Sequence, residues 1–154
     1  MSGTKNELSA VEVVRAYCDA WLAGDTMALL SRYRQDFTLV WPGRHRFAGT
    51  HSGLQASVDA LLGLDAETNR VPVEVVDVLE GSRRVAVVVV ERWSRDRDDA
   101  EPEVLEHTRV LEFTVQDAQL RTCQVYESAQ REIDDWLGAS DTSSEEDQRK
   151  LLAT

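Results

Sequence analysis

The sequence predicts an α+β domain with N-terminal helices packed on a curved, mainly antiparallel sheet. Three observations carry that prediction. Apolar residues recur at helical spacing in segments before Leu64, and strand-like runs follow one another after Asn69. Helices first and strands afterwards, without βαβ alternation, is the α+β order. A length of 154 residues makes one core the default.

The first helix is expected over residues 8–23, with Val13, Val14, Tyr17 and Trp21 on its apolar face. Ser9 followed three residues later by Glu12 is the pattern of a capping box. Gly24-Asp25 ends that helix, and Asp25 can cap a second short one, TMALLSRY. Phe37–Trp41 is β-prone and is stopped by Pro42-Gly43. GRHRFAGTHSG reads as a loop. Gly53–Leu64 is a third amphipathic helix, with Leu54, Val58, Leu61 and Leu62 on its apolar side.

Val71–Leu79, Arg84–Trp93, Val104–Val115 and Gln119–Glu127 are four strand candidates. SRDRDDAEP, residues 94–102, is a charged connection, and Gln116-Asp117-Ala118 a tighter turn. The leading helices can cover the face that such a sheet must bury. Ile133–Leu137 is a short apolar finish. Residues 139–154 are polar and are expected to be weakly ordered, as are residues 1–8, so the domain proper spans 9–138.

Seventeen basic and twenty-eight acidic side chains give a formal charge of −11. Nucleic acid and anionic membrane are polyanions and would repel such a chain, so neither is an expected partner. Cys18 and Cys123 stand far apart without metal-ligand spacing, and the three histidines form no HxH or HExxH pattern. No metal and no cofactor is expected. No apolar run approaches the length of a membrane span, and MSGTKNELSAVEVV has no secretory pattern, so a cytoplasmic location is expected.

Several local strings, in this order, resemble the SnoaL-like, ketosteroid-isomerase-like branch of the nuclear transport factor-2-like superfamily. They are Tyr17 with Gly24-Asp25, Trp41-Pro42-Gly43, Ala48-Gly49-Thr50 leading to Gly53, Leu111-x-Phe113, and Tyr126-Glu127. The resemblance covers residues 9–138. It implies a cone-shaped fold whose curled sheet and helices enclose a cavity, and a homodimer through the outer sheet face. It does not settle function, because the superfamily holds cyclases, isomerases, epoxide hydrolases and plain binding domains.

Residue by residue, the resemblance places Tyr17 at the isomerases' hydrogen-bond-donating tyrosine, eight positions before Asp25. A phenol there can polarise a carbonyl or enolate oxygen in a dry pocket. Trp41 falls where those enzymes keep their general base, and an indole accepts no proton at neutral pH. Their second aspartate falls near Arg109 or Leu111, neither of which replaces it. The cyclases' late aspartate falls on Ala129, with Glu127 two residues earlier on the same strand face, expected as an exposed rim residue.

Strand alternation puts Phe37, Leu39 and Trp41 on one side, and His107, Arg109, Leu111 and Phe113 on one face of their strand. A buried Arg109 would need Glu91 or Glu127 as partner. The candidate catalytic residues are therefore Tyr17, Glu127, His107 and Arg109. The candidate substrate-binding residues are Trp21, Phe37, Leu39, Trp41, Trp93, Leu111, Phe113, Cys123 and Val125, suited to a flat apolar molecule. His45 and His51, flanking the glycine loop, are expected to be solvated.

The leading functional expectation is a cofactor-free enzyme of polyketide-type, antibiotic-pathway biosynthesis. It would cyclise or isomerise a small apolar substrate, a pericyclic reaction included, by preorganisation and hydrogen bonding. Two alternatives stand beside it: an acid–base epoxide-opening enzyme using Glu91, Glu127 or Asp36 with Arg109, and a noncatalytic binding or dimerisation module.

Overall fold

The computed structural model describes residues 7–138; the expectations for residues 1–6 and 139–154 lie outside them. The elements run α1 (Ala10–Ala23), α2 (Thr26–Ser31), β1 (Tyr33–Trp41), β2 (Gly49–Ser52), α3 (Leu54–Thr68), β3 (Val71–Glu80), β4 (Val85–Arg97), β5 (Ala100–Gln116), β6 (Gln119–Glu127) and α4 (Gln130–Trp136).

The chain ends of α1 follow from local chemistry. The Ser9 hydroxyl accepts from the Glu12 amide, and the Glu12 carboxylate accepts from the Ser9 amide, which satisfies two donors that a helix start leaves open. Gly24 closes α1 in the left-handed conformation (φ 70°), and the Asp25 side chain then caps α2. On α3 the buried stripe is Ser57, Ala60, Leu64 and Thr68, whereas Leu62, expected on the apolar side, is exposed. Small residues let this helix lie close to β1: the Ser57 hydroxyl donates to the Phe37 carbonyl at 3.3 Å.

All six strands form one curved sheet in the order β2-β1-β6-β5-β4-β3. Every neighbouring pair is antiparallel except β1 and β6, which run parallel. Two differences from the sequence reading matter. Four residues of the expected loop pair with β1 as β2. The charged segment 94–102 is the hairpin connection expected there, but a tighter one: all of it except residues 98 and 99 belongs to the extended tips of β4 and β5, tied by Arg95 and Arg97 to Glu103.

One sheet face is the core. On it lie Val85, Val87, Val89, Glu91 and Trp93 of β4; His107, Arg109, Leu111 and Phe113 of β5; Cys123 and Val125 of β6; and Phe37, Leu39 and Trp41 of β1. The register stacks them in layers, with Phe113 opposite Cys123 and Leu111 opposite Val125. Arg109 then stands opposite Glu127, and Glu91 opposite His107. Side chains two residues apart on a strand are separated by about 7 Å. One strand face therefore passes from an apolar end to a charged one within three layers.

Candidate functional site

The apolar layers enclose a cavity of about 30 Å³ lined by Tyr17, Trp21, Tyr33, Phe37, Leu39, Trp41, Leu61, Arg70, Arg109, Leu111, Phe113, Cys123 and Val125. That volume is far below the roughly 300–1,000 Å³ of a small-molecule pocket, so a drug-sized ligand enters only if lining side chains move. Ten lining residues are fully buried, and only Trp21, Leu61 and Arg70 are half-buried. The cavity thus approaches solvent where α1, α3 and the start of β3 meet.

At its apolar end two phenols face each other. The Tyr17 and Tyr33 hydroxyls are 2.7 Å apart, and the Tyr17 ring meets those of Tyr33 and Phe113 edge-on. Burial, then the neighbouring Tyr33, hold the Tyr17 phenol well above its ordinary pKa of 10.0. Burial likewise raises Tyr33, and pushes the Cys123 thiol up to about 12. All three stay protonated at neutral pH. In a phenol pair one hydroxyl donates to the other, whose own proton remains free for a third oxygen.

At the other end Arg109 engages all three of its nitrogens. Its Nε and Nη2 donate to the two oxygens of Glu127 at 2.8 and 2.7 Å, and its Nη1 to Glu91 at 3.0 and 3.1 Å. The guanidinium lies over the rings of Trp41 and Trp93, 5.1 and 5.7 Å from their centroids. Each indole also donates to one carboxylate, Trp93 to Glu91 at 3.0 Å and Trp41 to Glu127 at 3.4 Å. Burial would raise the Glu91 carboxyl, but Arg109 and Arg70 more than offset that and hold it below its ordinary 4.5.

Three expected site residues lie elsewhere than the cavity wall. Glu127, read as an exposed rim carboxylate, has a side chain with 0% exposure, because direct register pairing turns it onto Arg109. His107 and Trp93 sit in the layers beyond the Arg109 guanidinium, which separates them from the cavity; their rings pack edge to face at 4.7 Å. Both His107 ring nitrogens are buried without a hydrogen-bond partner among the described residues. Burial, then Arg109, lower its pKa from 6.5. His45 is buried rather than solvated, its ring edge-on to Trp41 and its Nδ1 accepting from the Phe47 amide. Asp36 is exposed and paired with Arg34, whereas the other two carboxylates of the acid–base alternative, Glu91 and Glu127, both converge on Arg109.

Sequence reasoning missed Tyr33 and Arg70 and did not give Leu61 a place in the lining. Tyr33, expected at the end of the helix TMALLSRY, instead opens β1, and exposed Gln35 breaks the alternation that would have joined it to Phe37, Leu39 and Trp41. Arg70 carried no signal, since an arginine ahead of a strand is commonplace. Among the described residues no group of three His, Cys, Asp or Glu side chains is placed to hold a metal, and no helix is long and apolar enough to cross a membrane.

Solved structures share this fold of a curved sheet covered by helices. A Xanthomonas campestris protein of unknown function with a cystatin-like fold is 20% identical, matching 85% of this chain and 99% of its own with a TM-score of 0.75. TerC, co-crystallized with polyporic acid, is 15% identical over 82% of this chain and 96% of its own, with a TM-score of 0.68. A Catenulispora acidiphila protein with a ketosteroid isomerase-like fold, in complex with trimethylamine, is 19% identical over 76% of this chain and 85% of its own, with a TM-score of 0.58. Others are described as NTF2-like. No protein-family model and no curated protein matches the sequence. The chain has the nuclear transport factor-2-like fold, the one that the ketosteroid-isomerase-like and SnoaL-like proteins share.

Proposed function

We propose that this protein binds a small, flat, apolar organic molecule in the cavity and assists its cyclisation or isomerisation in the cytoplasm, without a cofactor. One observation carries the reading: a buried phenol pair with one proton to spare, in the wall of a cavity lined mostly by apolar side chains. Tyr17 and Tyr33 would together donate to a carbonyl oxygen of the substrate and stabilise negative charge developing there. Phe37, Leu39, Trp41, Leu111, Phe113 and Val125 would hold the substrate in a reactive shape. No lining carboxylate or imidazole is available as a base, which favours rearrangements that need little proton transfer, pericyclic and polyketide-like ones included. Relatives in fold that hold polyporic acid and trimethylamine support small-molecule binding.

A second reading, a noncatalytic binding or dimerisation module, is favoured by the small size of the cavity. The outer sheet face carries Val88, Val90 and Val110 in adjoining strands, which supports pairing of two copies there. A thermal-shift screen of flat ketones and quinones separates the readings. The enzymatic reading expects stabilising compounds, and among them one converted to an isomer of unchanged mass by the wild type and at least tenfold more slowly by Tyr17→Phe. Stabilisation by no compound favours the module.

A further inference from the structure

The two arginines of the cavity wall are unequal. Arg109 spends its donors on Glu91 and Glu127. Arg70, at the mouth, gives only its Nε, to Asp65 at 2.8 Å. Its two terminal nitrogens donate to nothing among the described residues; Nη1 stands 3.7 Å from a Glu91 oxygen already engaged by Arg109. An arginine has five N–H donors, so four point to no acceptor. The Arg70 side chain is only 13% exposed, yet its terminal nitrogens are not sealed from solvent, so water holds them until a ligand displaces it. Its guanidinium covers the Trp21 ring at 5.6 Å, which places an unspent planar cation at the cavity entrance.

A guanidinium fork matches the two oxygens of a carboxylate, or one oxygen of a phenolate or enolate, better than any neutral group. We infer that Arg70 is the recognition residue for an acidic oxygen, so that the cavity takes a flat apolar acid with its ring inside and its anionic end at the mouth. Two carboxylates oppose this by their charge: Asp65, which is 45% exposed and so is screened by solvent, and buried Glu91, 3.7 Å away, whose charge Arg109 also answers. The inference rests on the reading of the cavity as a small-molecule site and names the class of molecule.

The test compares matched acids and amides, benzoate with benzamide and 2-naphthoate with 2-naphthamide, titrated into the full chain. Tryptophan fluorescence reports on the lining residues Trp21 and Trp41 over the background of Trp93 and Trp136, and the shift in melting temperature gives an independent readout. The wild type is expected to bind the acid at least tenfold more tightly than the amide. Arg70→Met brings the two affinities together, Arg70→Lys retains part of the difference, and Asp65→Asn widens it severalfold. Equal affinities in the wild type, or a preference that survives in Arg70→Met, overturn the role of Arg70. If Arg70→Met does not fold, Asp65→Asn decides: an unchanged or narrowed preference overturns the proposal. Binding of neither acid nor amide overturns instead the small-molecule reading beneath it.

Discussion

The two ends of the core solve the problem of buried polar groups in opposite ways. At the charged end, Glu91, Arg109 and Glu127 answer one another's hydrogen bonds, and the indoles of Trp41 and Trp93 answer more. At the phenol end, Tyr17 and Tyr33 share a single bond and keep a proton in reserve. A network engaged with itself has little left to offer a ligand without breaking; a pair that shares one bond has more. The contrast teaches that charge density alone is a poor guide to a site. The densest cluster of ionisable groups in this core is spent on its own members, and the sparser end is the one with a donor in reserve.

The comparison breaks most visibly at Glu91. Replacing it with alanine strands Arg109 without one of its two buried partners, which should cost about 3–5 kcal/mol. Denaturant unfolding checks this, and a loss under 1 kcal/mol would mean that solvent already reaches the network. Tyr17→Phe should cost roughly 1–3 kcal/mol, because the Tyr33 hydroxyl is left buried and unpaired. The double replacement Tyr17→Phe with Tyr33→Phe should return to within about 1 kcal/mol of the wild type, since the stranded group goes too. A double variant less stable than either single one would show that the hydroxyls do more for the fold than satisfy each other.

The smallest effect concerns His107, which lies beyond the charged layer with no hydrogen bond to the described residues to lose. Its pKa is depressed in the folded chain, so the unfolded chain takes up the proton first as pH falls through 6.5. The stability tied to neutral His107 is present above that value and is lost below it. His107→Phe should therefore match the wild type near pH 8 and exceed it near pH 5, in thermal melts at both. His45, lowered by burial in the same sense, leaves a residual slope. Equal slopes in the variant and the wild type would show that His107 is hydrated.

The local elements were largely legible. The Ser9–Glu12 capping pair, the Gly24-Asp25 break and the exact span Gln119–Glu127 all follow from near-neighbour chemistry. Less so β2, because GTHS has no strand pattern of its own and becomes a strand only by pairing with β1. The face of α3 was misjudged at Leu62, since small residues at Ser57 and Ala60 allow a closer approach to the sheet than a stripe of leucines would.

By itself the sequence determined the order of elements, their caps and turns, and which residues alternate together along β1 and β5. These depend on interactions a few residues apart, where periodicity and propensity act directly. Only the tertiary structure decided that Glu127 turns inward onto Arg109, that Tyr33 meets Tyr17, and that Arg70 is left with donors unspent at the mouth. Each of these depends on inter-strand register and on helix placement, which join residues 16, 18 or 21 positions apart in sequence. No local pattern encodes that a hydrogen-bonding group across such a distance has been answered or not.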